Sequence, residues 1–529
     1  MASTPCQALF DTDIAFVPEF QNMRNFYFLP AAMIIGVAAS HVLFTAVVWT
    51  SNACLSETIS LLSAAGYLTV PNHLVAASLK NWGPAFAGAF FFSLTAGAGL
   101  CLVSFTATLA WRTLFGSHRV VLIVILGFWT VLLYRVNADG ANFWATAACL
   151  VTPMISAWGT LALLPDNRKT SFWWALTFLL AGFLIIIAFW APRADGDTFL
   201  RIRDHVLLSN PVGEKITRFY YQYTLYPAEV FKSLDQKLLK SSAVHVDDPD
   251  LMETIEAKLR AEDYLPADGA TSVDLHLTKH DDQLVLLQKD KEIHKTTVAD
   301  FMTDPEGVFQ TFSKKTDNWR FFRKITFMSL VIASPFLVYL LIQTVIFACL
   351  FPLRSLRTRV VLSTLICAGM GIGLLLPVGS TSKDAMTPDE IKNRLESADR
   401  RQRIEALKAL SEIPLDMDKY PVLTADDHNR SIPERYWLAK ALADSRSPWA
   451  DEMLLNFLKD PHPNVVCMAL FSLGNRKQKQ AAEEMIHIIK THDHWYVQWY
   501  AYRSLRSLGW IQPASARGDL SSPSALSPQ

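Results

Sequence analysis

The sequence predicts a mainly α protein: a polytopic transmembrane helix bundle with a small α+β extramembrane insert and a C-terminal array of paired helices. Three observations predict this fold class. Of the 529 residues, 51% are hydrophobic and 19% are charged, which is too apolar for a purely soluble protein. The apolar residues are bunched into segments close to the ~20 residues that cross a bilayer as a helix. The last quarter instead repeats a helical pattern at a regular interval.

Seven segments have the length and the low charge of membrane spans. They are 26–50, 84–111, 120–136, 141–164, 172–191, 326–351 and 360–378. The segment 55–70 is shorter and carries Glu57, so we interpret it as a separate interfacial or re-entrant helix. Within the second span a small residue recurs at every fourth position, which predicts a helix buried in the bundle.

Lysine and arginine in the short loops predict the orientation. The basic loops are those that contain Arg112 and Arg119, Arg168 and Lys169, and Arg354, Arg357 and Arg359. By the positive-inside rule these loops face the cytoplasm of a cell (inner) membrane protein. The loop 192–325 and the C-terminal domain are then extracytoplasmic, or periplasmic. The N-terminal residues lack a basic region and a small-residue cleavage site, so we predict no removable signal peptide.

These features divide the chain into six parts. We expect a polar N-terminus (1–25), a bundle of about five transmembrane helices (26–191), an extracytoplasmic α+β loop domain (192–325), two further transmembrane helices (326–378), a helical repeat domain (384–512) and a disordered tail (513–529).

The composition excludes several classes of function. Lys+Arg and Asp+Glu both total 49, so the chain lacks the basic field of a nucleic-acid binder. The seven cysteines are scattered without a CxxC motif, which disfavours a disulfide framework, a c-type haem and a zinc ribbon. We therefore predict no metal and no cofactor.

The long loop combines an aromatic run with a small sheet. The run 219–226 follows an Asn-Pro-Val-Gly turn and is interpreted either as a membrane-surface anchor or as a binding surface. Residues 247–261 predict an amphipathic helix. Three alternating segments, 272–278, 283–288 and 292–297, predict an antiparallel meander.

The C-terminal helices carry a recurring face of small residues and leucine. A capped start at Thr387 is followed by this face at intervals of ~31 to 35 residues. Its members are Ala406, Leu407 and Leu410; Ala439 and Leu442; Ala469, Leu470 and Leu473; and Ala501, Leu505 and Leu508. The segment resembles HEAT and HEAT-like (lyase-type) repeats from Thr387 to about Trp510, with a departure between Pro414 and Ser431. The resemblance implies a curved helical scaffold that binds proteins, and in some lyases the attachment of tetrapyrroles.

A candidate intramembrane polar site consists of His41, Arg135 and Asp139. His41 is well inside the first span, where an ionisable group is either a hydrogen-bonded packing residue or part of an ion, haem or substrate site. Arg135 and Asp139 belong to a tight turn between two spans. That turn is either a simple polar connection or the mouth of a channel.

A candidate partner-binding surface consists of Trp495, Tyr496, Trp499 and Tyr500. The final helix has more aromatic residues than one core-facing stripe needs, so some of them serve either as partner anchors or as inner packing. Three nearby histidines, His487, His492 and His494, lack the spacing of a metal site and are interpreted as a helix end.

Three functions fit these observations, and whether the chain is an enzyme stays undecided. The chain lacks the P-loop, HExxH, GxSxG and dinucleotide-binding motifs, so we assign no catalytic residue. The favoured hypothesis is a membrane-anchored scaffold or assembly factor that binds protein partners through the repeats. The alternatives are a transporter or channel subunit with regulatory soluble domains, and a membrane enzyme acting on a lipid-linked or tetrapyrrole substrate.

Overall fold

The computed structural model describes residues 16–164, 170–267, 273–353, 355–376, 386–412, 417–424 and 430–514. It is mainly helical, with 74% helix, seven apolar helices and one small sheet, which confirms the predicted fold class at that level. Residues 1–15, three residues of the predicted basic loops (Arg168, Lys169 and Arg354) and most of the predicted tail lie outside the described residues.

Twenty-two α-helices are present in the described part of the chain. They are α1 (Phe16–Ala64), α2 (His73–Leu79), α3 (Trp82–Phe92), α4 (Ala98–Thr113), α5 (Arg119–Asn137), α6 (Phe143–Leu163), α7 (Thr170–Trp190), α8 (Thr198–Ile202), α9 (Pro211–Tyr223), α10 (Leu225–Phe231), α11 (Pro249–Ala261), α12 (Val298–Thr303), α13 (Pro305–Thr316), α14 (Arg320–Cys349), α15 (Leu356–Leu375), α16 (Pro388–Leu395), α17 (Arg400–Leu410), α18 (Ile432–Ala441), α19 (Trp449–Phe457), α20 (Pro463–Asn475), α21 (Ala482–Thr491) and α22 (Trp495–Ser507).

Seven helical stretches among the described residues are long and apolar enough to cross a membrane. They are Tyr27–Ala64, Trp82–Thr113, Arg119–Asn137, Phe143–Leu163, Trp173–Arg193, Arg320–Cys349 and Leu356–Leu374. Each overlaps one predicted span, because the hydrocarbon thickness and the helical rise together fix the length of apolar sequence that a span needs. Insertion itself stays a prediction.

The first helix differs from the prediction. The separate helix expected at 55–70 does not form, since α1 continues without a break to Ala64. No glycine or proline interrupts residues 50–64, so nothing in the backbone chemistry ends the helix there. With 49 residues, α1 is roughly 70 Å long at ~1.5 Å per residue. This is more than twice the ~30 Å of a bilayer core, so a membrane would not cover all of it.

The chain forms two compact units. The first consists of 1–47, 86–209 and 318–381, and the second of 48–85, 210–317 and 382–529. The bounds of the six predicted parts stay predictions. The first unit contains most of the apolar helix length, and the second contains the sheet and the repeats.

Small residues allow close helix packing in the first unit. A Cβ added to Gly97 would overlap Ser40 Oγ, and one added to Gly99 would come within 2.7 Å of Ser329 Cβ. Between α3 and α4 the backbone widens into a π-helical turn at Ser93–Gly97. The core is built from residues of α1, α4, α7, α14 and α15. This is the mode of association expected of helices in lipid, where hydrophobic exclusion from water is absent.

A five-stranded sheet lies in the second unit. Its strands are β1 (Lys240–His245), β2 (Tyr264–Pro266), β3 (Leu275–His280), β4 (Gln283–Gln288) and β5 (Lys291–Thr297), in the order β2-β1-β3-β4-β5. The predicted antiparallel meander is present as β3, β4 and β5. The sequence analysis missed β1 and β2, which pair in parallel and are joined through α11.

The C-terminal helices form pairs around one continuous row. Helices α17, α18, α20 and α22 pack in succession, and we call them the inner row. Helices α16, α19 and α21 each pack against one member of that row. In the described residues 417–424 of the irregular connection predicted after Pro414, the chain forms two short 3-10 turns, at Met417–Lys419 and Pro421–Leu423.

Candidate functional site

The four inner-row helices begin at equivalent positions of the repeat. Their N-cap residues are Asp399, Ser431, His462 and His494, which recur every ~32 residues. The first two use oxygen acceptors, as helix N-caps commonly do. The last two are histidines. The repeat therefore keeps its geometry while the chemistry at the helix starts changes along the row.

A second set of equivalent positions shows the same change. Arg403 binds Glu434 with a 2.6 Å ion pair, and Arg435 binds Asp460 with contacts of 2.6 and 3.2 Å. The equivalent residue about one repeat after Arg435 is Cys467, and the next is Trp499. Charged contacts in the early repeats thus give way to an aromatic surface at the end of the row.

The aromatic cluster at this end consists of Tyr221, Tyr496, Trp499 and Tyr500. Ring centroids are 5.2 Å apart for Tyr221 and Tyr496, and 5.2 Å apart for Trp499 and Tyr500. The Arg503 guanidinium lies 4.7 Å from the Trp499 ring centroid. The Trp499 indole nitrogen has no hydrogen-bond partner among the described residues. Burial raises the pKa of both Tyr496 and Tyr500, so their hydroxyl groups remain neutral donors.

The fourth predicted anchor, Trp495, occupies a different position. Its side chain is 4% exposed, and its ring meets that of Tyr226 edge-on at 5.1 Å. A partner would have to open this contact to reach it. The structure therefore joins the two aromatic runs that the sequence analysis singled out separately, and Trp499 and Tyr500 are the better-placed candidates for an external contact.

Two glutamines and an asparagine join the segment 68–72 to the C-terminal repeats. Gln498 Oε1 accepts from the Asn72 backbone N–H at 2.8 Å, and Gln512 both accepts from the Leu68 N–H and donates to its carbonyl. The Asn72 side chain donates to the carbonyl oxygens of residues 489, 490 and 492 at 2.9 to 3.1 Å. We call Asn72, Gln498 and Gln512 the clamp, and all three are buried.

A second polar contact involves the end of α11. The Tyr502 hydroxyl donates to Asp263 Oδ1 at 2.6 Å, and Arg506 Nε contacts Asp263 Oδ2 at 3.2 Å. Arg506 also donates to the Ala261 carbonyl. Burial raises the pKa of Asp263, an effect that these two donors oppose. The last helix thus holds three other segments of its own unit.

The two histidines at N-cap positions are neutral. His462 is buried and caps α20, whereas His494 is half-buried and makes no side-chain cap hydrogen bond. His462 Nδ1 accepts from the Asn464 N–H at 3.3 Å, so its proton is on Nε2, which has no partner in the described chain. Burial lowers the pKa of His462 to about 4 and that of His494 to about 4. No group of three or more potential ligands for a metal occurs among the described residues. The position of His462 and His494 at helix N-termini further disfavours the charged imidazolium.

His41 of the first unit is a packed residue with one hydrogen bond. Its Nδ1 lies 2.9 Å from Ser93 Oγ in the π-helical turn, and its ring contacts Phe86 and Phe90. Its Nε2 has no partner in the part of the chain that the structure describes. π-Helical turns often mark functional positions, so the two interpretations of His41 both stand.

Arg135 and Asp139 are exposed and make no described contact with His41. Hydrogen bonds in their turn come instead from asparagines. Asn137 Nδ2 donates to Thr146 Oγ1 at 2.8 Å, and Asn142 caps α6 while its amide donates to the Asn318 carbonyl. The three candidates therefore do not form one site in the structure, and any role of each stays a prediction.

Sequence reasoning missed the clamp and the capping histidines. A signal existed for the caps, because His462 and His494 have the same repeat spacing as Asp399 and Ser431. No comparable signal marked Gln498, which lies between Val497 and Trp499 and reads as an ordinary helix residue. Its partner is more than 400 residues away in the chain.

One family model matches the chain. Residues 451–520 match the model described as HEAT repeats, which confirms the resemblance on which the repeat prediction rested. HEAT repeats are associated with protein interaction and scaffolding. No curated protein and no solved structure matches this chain.

Proposed function

We propose that this protein is a multi-pass membrane scaffold or assembly factor whose HEAT-like repeats bind a protein partner on the extracytoplasmic side. The observation that carries the proposal is the aromatic cluster at the end of the inner row, whose three members on α22 lie within the segment that matches HEAT repeats. Tyrosine and tryptophan supply much of the binding energy in protein interfaces, because they bury large areas at low entropic cost.

The geometry favours Trp499 as the central anchor. Its ring is half-buried between Arg503 and Tyr500, and its indole N–H is buried with no hydrogen-bond partner among the described residues. A partner that displaces the neighbouring side chains could place a carbonyl to accept from this N–H and so satisfy it. The neutral hydroxyl of Tyr500 lies beside it, so a partner that offers backbone carbonyls and an apolar side chain suits the surface.

Membrane insertion and orientation belong to the same proposal. Seven apolar helices among the described residues and the basic short loops support a multi-pass protein with its C-terminus outside. Carbonate extraction tests insertion. Alkaline phosphatase and green fluorescent protein fused at the C-terminus test orientation. An active phosphatase with a dark fluorescent protein is expected, and the reverse result contradicts the proposed side.

The partner-binding test uses the full-length protein in mild detergent. A photo-crosslinking amino acid at position 503 should give one discrete adduct, which mass spectrometry identifies, and Trp499→Ala should remove it. Leu455→Ala is the matched control, because Leu455 is an exposed apolar residue on α19. Equal adduct yield from the Trp499→Ala variant, with an unchanged circular dichroism spectrum, would reject this surface.

A further inference from the structure

Helix α9 carries a stripe of exposed apolar side chains. Val212, Ile216, Phe219 and Tyr220 are 69%, 54%, 43% and 50% exposed. Their spacing of i, i+4, i+7 and i+8 places them on one face of the helix. An exposed apolar surface of this kind commonly marks a binding site for a protein or a membrane.

The neighbouring face of α9 is already occupied. Gly213 and Thr217 are buried, and Tyr221 contacts Tyr496 of the last inner-row helix. Contact with the repeat therefore sets the orientation of α9 about its own axis. This contact leaves the stripe facing outward. Exposed Lys215 lies beside the stripe, while Arg218 pairs with Glu214 at 2.9 Å. A helix with an apolar face bordered by cations is typical of peptides that lie in a membrane interface.

The next helix holds α9 near the start of a candidate span. The Tyr226 hydroxyl of α10 lies 2.9 Å from Ser78 Oγ on α2. Ser78 precedes Trp82, the first residue of the span Trp82–Thr113, by four positions, which is at most about 14 Å of chain. Trp82 and Trp49 are exposed with ring centroids 6.0 Å apart. Such rings are typical of the headgroup region.

We propose that α9 lies on the bilayer surface, with the stripe of Val212, Ile216, Phe219 and Tyr220 inserted at the boundary of headgroups and acyl chains. The occupant of the stripe is thus lipid, and Lys215 favours anionic headgroups. This inference rests on the proposed membrane insertion. The inference adds a contact between lipid and α9, the helix that packs against the last inner-row helix.

The test measures membrane depth in the full-length protein. The protein is reconstituted into nanodiscs of phosphatidylcholine and phosphatidylglycerol, with a genetically encoded dansyl amino acid at Ile216. The matched control position is Gln222 on the polar face of the same helix. Acyl-chain spin-labelled lipids should quench the label at position 216 by roughly twofold or more and leave the label at 222 near its starting intensity.

A third label at Val124 separates this inference from the proposed insertion. Val124 is exposed on α5, a candidate span. Quenching at 124 without quenching at 216 would overturn the α9 proposal and keep the insertion. Absence of quenching at both positions would contradict insertion itself. A label at 216 that shifts to the blue without quenching would show that a protein covers the stripe, which also overturns the proposal.

Discussion

Different interactions stabilise the interior of each of the two units. In the first, helices approach through glycine and small polar residues, and buried hydroxyl groups bond locally, as Thr45 does with the His41 carbonyl at 2.7 Å. In the second, amide and phenol side chains join segments that are far apart in sequence, as in the clamp and the Tyr502–Asp263 contact. Buried polar atoms without a hydrogen-bond partner among the described residues occur in both units, for example Gln343 Oε1 in the first and His462 Nε2 in the second.

The proposed surroundings of the two units, lipid for the first and water for the second, account for this difference. An apolar solvent gives no hydrophobic gain on helix association, so close van der Waals packing has to hold the helices together. In water, buried polar groups lose their hydration unless they find partners, so paired amides select one arrangement. Added volume should therefore damage the first unit most, and lost hydrogen bonds should damage the second.

The largest expected effect is that of Gly99→Leu. A side chain at this position collides with Ser329 of α14, so the free energy of unfolding should fall by about 3 kcal/mol or more. Denaturation of the purified protein in mixed micelles measures it. The matched control is Gly127→Leu on α5, where an added Cβ meets nothing within 4 Å. Equal losses in both variants would contradict close packing at Gly99.

The second prediction concerns the clamp. Asn72→Ala removes three donor contacts and the cap of α2, and leaves buried carbonyl groups unsatisfied. We expect a loss of roughly 2 to 3 kcal/mol in the second unit. Hydrogen exchange should report it as faster exchange in α2 and α22. Asn393→Ala on the exposed side of α16 serves as the control. If Asn72→Ala and Asn393→Ala give the same exchange rates in α2 and α22, Asn72 does not hold these helices.

The smallest expected effect is a dependence on pH. The unfolded chain takes up a proton at His462 near pH 6.5, whereas the folded chain does so only near pH 4. The unfolded state therefore binds more protons between these values, and the free energy of unfolding falls as the pH is lowered through this window. The loss at about pH 5 should be roughly 2 kcal/mol, and above about pH 7 it should vanish.

The comparison of variants isolates this histidine. His462→Asn keeps an N-cap side chain and removes the titration, so its urea midpoint should change less between about pH 7 and pH 5 than that of the natural protein. His487→Asn, on the exposed side of α21, should change as the natural protein does. If the His462 and His487 variants behave alike, the capping histidine does not titrate as proposed.

Local chemistry explains which parts of the fold were predictable. Span lengths depend on composition alone, and the β3–β5 meander depends on alternation and turns. Lys289 and Asp290 have positive φ values of 50° and 60°, as a two-residue hairpin turn requires. The short parallel strands β1 and β2 have no such local mark. The continuation of α1 through 50–64 was not predicted, because Glu57 was interpreted as a sign that the first span ends before it.

The candidate site was predictable only in part. Aromatic excess drew attention to α22, but composition does not distinguish Trp495, which packs inward, from Trp499 on the same helix. That distinction depends on where Tyr226 lies, which is a property of the tertiary structure. The same holds for His41, whose partner Ser93 is one of the small residues that recur at every fourth position of the second span.

The clamp also has a consequence for synthesis. Asn72 and Gln498 are separated by 426 residues, so at ~5–20 residues per second the ribosome needs about 20 to 85 s to deliver the second after the first. During that interval the segment around Asn72 exists without its acceptors. A nascent chain that stops before Gln498 can never close this contact, and it would leave the ribosome with an open polar segment that proteases and chaperones can recognise.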